Sequence, residues 1–145
     1  MAGTHRRRTL RGLLESSATP RRLIVDDGRL THAYKVVSFQ VWATSLTGAR
    51  DVQGVLGLDY DMAQFFNAGD SRQIAWASQQ NDLNGGVGSL SIIDPDHLVI
   101  RDLYLVNFGP PGNDLNYLIE LETVEVSDDQ AILTLIKERS QDDLR

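Results

Sequence analysis

The densest cluster of reactive side chains in the sequence is Asp94-Pro95-Asp96-His97. Two carboxylates and an imidazole in this order form the kind of oxygen and nitrogen set that holds a divalent cation. Proline fixes its own φ, however, and an aspartate before proline commonly opens a turn. The turn is the stronger reading. Asp59 and Asp61, followed by Asn67 and Asp70, have the oxygen spacing that begins a calcium loop. The run lacks the glycine at position six and the bidentate glutamate at position twelve that complete one. Glu120, Glu122 and Glu125 would suit a glycosidase only if one of them sat in a cleft with a raised pKa. Their alternation with apolar residues places Glu120 and Glu122 on the solvent side of a strand instead. Gly85-Gly86-Val87-Gly88 is followed by no Gly-Lys-Ser/Thr, so it is not a phosphate loop. No serine stands in Gly-x-Ser-x-Gly. His32 and His97 each open a strand-like run, where a structural histidine is expected.

Whole classes of chemistry fall away on composition. There are no cysteines, which excludes disulfides, iron–sulfur clusters, thiolate zinc sites and cysteine nucleophiles, and there are only three histidines. No cofactor or metal is expected. Trp42, Trp76, Tyr34, Tyr60, Tyr104 and Phe108 could form a stacking platform for bases or sugars. Most lie in apolar alternation, so core packing is the stronger reading.

Charge is unevenly distributed. Residues 1–22 hold Arg6, Arg7, Arg8, Arg11, Arg21 and Arg22 against Glu15 alone, a net of +5. The rest of the chain holds 8 basic and 19 acidic residues, a net of −11, within an overall charge of −6. Such an arm often meets a negatively charged partner, and these six arginines are the candidate partner-binding residues. Nucleic acid is expected as a partner only through this arm, because the body is acidic. Leu10, Leu13 and Leu14 do not make the apolar stretch of a secretory signal. Arginine and serine enrichment is closer to a mitochondrial transit peptide, a reading ranked below an assembly arm. Leu10–Ser16 has room for about two helical turns, and Pro20 ends any helix there.

A chain of 145 residues predicts one domain. No apolar run approaches the ~20 residues of a membrane helix, and no membrane partner is expected. From Arg21 to Val126 the sequence is a series of short apolar runs broken by turn residues. They are Leu23–Val25, His32–Thr44, Val52–Tyr60, Gln73–Ser78, Ser89–Ile92, His97–Phe108 and Asn116–Val126. Asp27-Gly28 predicts a tight hairpin. His32–Thr44 is apolar on both faces, which predicts burial on both or a subunit contact. Gly54 and Gly57 predict a bulge or a close backbone approach. Asp61–Asp70 reads as a loop with one short helical turn, and Asn81–Gly88 and Gly109–Asp114 as loop tips. Ser127 and Gln130 form a capping box before Ile132, Leu135 and Ile136, predicting a helix over roughly 128–139. The expected architecture is all-β: an antiparallel β-sandwich or jelly-roll-like domain over 21–126. An irregular basic arm over 1–20 precedes it, and a short C-terminal helix and tail over 127–145 follow.

Four stretches resemble small virion structural proteins of environmental, mostly marine, tailed bacteriophages. They are Arg21–His32 (RRLIVDDGRLTH), Arg72–Ala77 (RQIAWA), Ile93–Tyr104 (IDPDHLVIRDLY) and Leu135–Leu144 (LIKERSQDDL). The resemblance implies a particle component, a capsid decoration or cement protein located in the virion, and assigns no functional residue. The expected partners are the major capsid protein and further copies of the chain, as a homo-oligomer such as a trimer. The activity expected is adhesion without catalysis. The rival readings are a tail, fibre or head–tail-joining component, and a cellular β-sandwich that binds a carbohydrate or small ligand through its loop tips.

Overall fold

The computed structural model describes residues 7–17, 19–25, 32–45, 50–81 and 87–125. Over these residues the chain is all-β, with eight strands and no helix. They are β1 (Arg7–Leu14), β2 (Arg21–Leu23), β3 (His32–Ala43), β4 (Arg50–Gly57), β5 (Gln73–Asn81), β6 (Val87–Ile93), β7 (Leu103–Asn107) and β8 (Leu115–Glu125). Two antiparallel sheets face each other, one in the order β1-β8-β3 and the other in the order β2-β7-β4-β5-β6. The Asp27-Gly28 hairpin, the tip of the Asn81–Gly88 loop and the helix expected over 128–139 lie outside the described residues.

The core lies between the sheets. β8 runs through the middle of its sheet, and Leu115, Tyr117, Ile119 and Leu121 point inward from it. β3 adds Tyr34, Val36, Phe39, Val41 and Ala43, while the opposite sheet adds Leu23, Val52, Leu56, Ala75, Ala77, Leu103 and Leu105. Even positions of β3 point inward up to Val36, and odd positions do so from Phe39 onward. A bulge between Val36 and Ser38 causes the change, because one extra residue reverses the side-chain phase. Beyond Ala33, which is buried on the opposite face against Ile100, the strand is therefore buried on one face rather than on both, the first of the two alternatives that its composition predicts. One face is buried in two phases, and Trp42 is left outside at 38% exposure.

The long run His97–Phe108 is likewise not one strand. Val99 pairs with Tyr34 of the three-stranded sheet through two backbone hydrogen bonds of 2.8 Å. The chain then crosses over and enters the five-stranded sheet at Leu103, opposite Leu23. The N-terminal segment departs further from expectation. Arg7–Leu14 is neither irregular nor helical but forms edge strand β1, paired along its full length with β8. Leu10 and Leu14 face the core, and the Tyr117 ring fills the space beside Gly12.

A second apolar layer covers the outside of the five-stranded sheet. Met62 packs on Val55 and Val106, flanked by Trp76, Tyr104 and Phe108. The segment that carries Met62 contains turns and no helical turn, because its polar groups are tied to two buried side chains. The Gln73 amide donates to the Ala63 and Phe65 carbonyls and accepts from Asn67 N–H and Trp76 Nε1. The Asp70 carboxylate accepts from the Ala63 and Arg72 N–H groups and from the Arg72 guanidinium. Burial pushes the Asp70 pKa up, but those hydrogen bonds outweigh it and hold the value at about 2.

Gly57 sits at the β4 bulge under this layer. A Cβ there would collide with the Met62 sulfur and stand 2.7 Å from the Arg72 carbonyl oxygen. Gly57→Ala is expected to cost about 1–3 kcal/mol in urea unfolding. Gly88→Ala, with nothing within 4 Å of the added carbon, should stay within about 0.5 kcal/mol of the parent.

Candidate functional site

At the margins of a sandwich the outermost strands expose backbone groups that need partners. Along one margin β1 and β2 are joined by arginines. Arg8 of β1 donates to the Val25 and Ile24 carbonyls at 3.0 and 3.4 Å, just beyond β2. In the opposite direction, Arg21 of β2 donates to the Leu13 carbonyl of β1 at 2.9 Å. Arg22 pairs at 2.5 Å with Asp102, a nearly buried carboxylate on the crossover before β7. The hydrogen bond and the charge of Asp102 raise the Arg22 pKa. Arg7 reaches Glu120 at 3.3 Å. Of the six candidate partner-binding arginines, then, Arg7, Arg8, Arg21 and Arg22 bond within the domain. Arg11 stands exposed on the outer face, and Arg6 lies outside the described residues.

The other margin runs along β3 and is closed by side chains. Ser91 donates to the Phe39 carbonyl at 2.6 Å, and Ala43 N–H donates to Gln79 Oε1 at 3.0 Å. Val36 N–H donates to His97 Nε2 at 2.9 Å, which places the proton on Nδ1, where it is donated to the Asp94 carbonyl. His97 thus acts through its backbone bonds. Asp94 Oδ1 accepts from Asp96 N–H, as in a turn. Among the described residues no three His, Cys, Asp or Glu side chains converge on a cation position.

What remains turned outward is the far face of the three-stranded sheet. Registry places Leu13, Asn116 and Trp42 side by side at one end, then Arg11, Leu118 and Gln40. Next come Thr9, Glu120 and Ser38, and at the other end Arg7, Glu122 and Lys35. Glu120 and Glu122 are half-buried on a central strand, not on a solvated edge. The face is an apolar end with two large exposed side chains, Leu13 and Trp42, grading into alternating charge. Of the six aromatics considered as a platform, Tyr34 is in the core and Trp76, Tyr104 and Phe108 belong to the outer apolar layer. Tyr60 lies over Tyr104, and Trp42 alone stands on this face. Sequence alternation placed Trp42 in the core because it gives no sign of the bulge at Val37. No protein family, curated protein or solved structure matches this chain.

Burial pushes the His97 imidazole below its ordinary pKa of 6.5. The unfolded chain then takes up a proton before the native one does. The stability contributed by neutral His97 is complete above 6.5 and declines as the pH falls below that value. The melting temperature should drop between about pH 7.5 and 5.5, and His97→Gln, which can accept from Val36 N–H without titrating, should flatten that drop. Equal slopes would remove His97 from the account.

Removing residues 1–14 deletes β1 with Leu10 and Leu14. It should cost roughly 3–5 kcal/mol in chemical unfolding, whereas a dispensable arm would leave the transition in place.

Proposed function

We propose that this chain is a non-catalytic structural protein of a tailed-bacteriophage particle, a decoration protein that binds the major capsid protein on the head. The observation that carries this reading is the nesting of the strands. β1 pairs with β8, β2 with β7 and β4 with β5, while the fourth nested pair, β3 and β6, meets through Ser91 and the Phe39 carbonyl. This supports a jelly roll, a single long hairpin rolled into two sheets. Capsid domains and lectins commonly use that wrapping.

A fold alone does not select between those uses. The resemblance of Arg21–His32, Arg72–Ala77 and Ile93–Tyr104 to phage virion proteins favours the particle. The buried polar groups fit adhesion as well. Asp70, Gln73, His97, Asp102 and Asn107 each bond to backbone or to a neighbouring side chain and serve to hold loops and edges. The outer face of β1-β8-β3 has the make-up of an association surface: an exposed tryptophan and leucine bordered by polar and charged residues. Decoration works by mass action, because contacts made only on the assembled shell favour it over its dissociated parts.

The test is co-sedimentation of the purified chain with phage heads that lack it. Binding should saturate at a copy number in step with the capsomers. Trp42→Asp should raise the half-saturating concentration by ~10-fold or more with unchanged thermal unfolding. Saturation at roughly a dozen copies would place the chain at a symmetric tail or portal vertex instead. Binding to an immobilised glycan array, with none to heads, would favour the lectin use of the fold.

A further inference from the structure

The sandwich has four outermost strands, and three of them are guarded. β1 carries Arg7, Arg8 and Arg11, and its Leu13 and Leu14 carbonyls accept from Arg21 and Asn107. β2 is three residues long and two of them are arginines. The margin of β3 bonds to Val99, His97, Ser91 and Gln79. Charge, shortness and side-chain caps are the usual devices that keep an edge from pairing with another molecule.

Among the described residues β6 has none of them along its own backbone edge, although its Ser91 hydroxyl reaches across to the Phe39 carbonyl of β3. Its sequence Val87-Gly88-Ser89-Leu90-Ser91-Ile92-Ile93 contains no charge and no proline. It pairs with β5 in unbroken register from Val87 to Ile93, so no bulge turns it aside. Among the described residues no strand is hydrogen-bonded to its far side, and β3 meets it through the Ser91 side chain. Gly88 through Ile92 are exposed, with Ile92 at 50%.

We infer that the far edge of β6 is a self-association edge, where two copies of this chain pair antiparallel about a twofold axis and join two five-stranded sheets into one. A second copy fits for three reasons. The chain carries a net charge of −6, so two copies repel except where they meet through uncharged segments, and of the described outermost strands β6 alone lacks an ionisable residue. A twofold contact must be complementary to itself. Antiparallel pairing centred on Leu90 achieves this, setting Leu90 beside Leu90 and each Ile92 across from a Gly88 that offers open space. The third reason lies on the outer face of β5, where Trp76 registers beside Ile92 and continues the apolar surface behind the edge.

This deepens the proposed reading by naming its self-contact, yet it rests on strand chemistry and stands apart from head binding. The full chain should approach twice 16.1 kDa at the top of a dilution series in light scattering. The double variant Leu90→Lys, Ile92→Lys should stay at the single-chain mass with unchanged thermal unfolding, since both side chains are already exposed. In parallel, hydrogen exchange of the Val87–Ile93 amides in the wild-type chain should slow as concentration rises. Trp42→Asp, altered on the other sheet, should associate like the parent even where it no longer binds heads. A single-chain mass throughout the series, association undiminished in the double variant, or β6 exchange indifferent to concentration would each overturn the inference.

Discussion

Every sheet that does not close on itself leaves backbone N–H and C=O groups at its margins, and this chain is organised around where those groups go. Burying such a group without a partner costs on the order of 1–3 kcal/mol, so two long unsatisfied margins would exceed what a small domain can spare. The solution differs by side. Arg8 and Arg21 bridge β1 and β2 in reciprocal directions. Ser91, Gln79 and His97 close the β3 margin. The basic N-terminal region therefore has a structural use that its charge does not reveal. Guanidinium groups supply five fixed donors on a long stem, which suits them to carbonyls on a neighbouring strand.

The same need explains the two polar side chains beneath the outer apolar layer. A loop laid over a sheet cannot hydrogen-bond its own backbone as a strand or helix does. Gln73 supplies two donors and an acceptor that takes two bonds, and Asp70 supplies two acceptor oxygens. With those bonds made, Met62 can pack against Val55 and Val106 at almost no exposure. The polar network determines the position of the apolar contact.

Strands wet on one side could be read directly in the sequence. β8 shows inward Tyr117, Ile119 and Leu121 against outward Glu120 and Glu122, and the glycines of β4 announced its bulge and its close packing. What could not be read depends on partners far away in the chain. β1 has the right period, with Arg7, Thr9 and Arg11 outward and Leu10 and Leu14 inward, but Gly12 looks like a break until Tyr117 from β8 covers it. The bulge at Val37 and the crossover at Arg101-Asp102 leave no local mark, since an apolar residue and a charged pair suit strand or turn alike. The outward face was illegible for the same reason: whether Trp42 points in or out is decided by one extra residue upstream.

The pairing of β1 also bears on how the molecule comes into being. Arg7 lies opposite Glu122, so among the described strands the first in the chain finds its neighbour in the last. Contacts between such distant parts of the chain form slowly. Until β8 is made, β1 has no strand partner among the described residues, and unpaired strand edges are prone to aggregate. Arg7, Arg8 and Arg11 are charges of the kind that keep an unpaired strand from joining others.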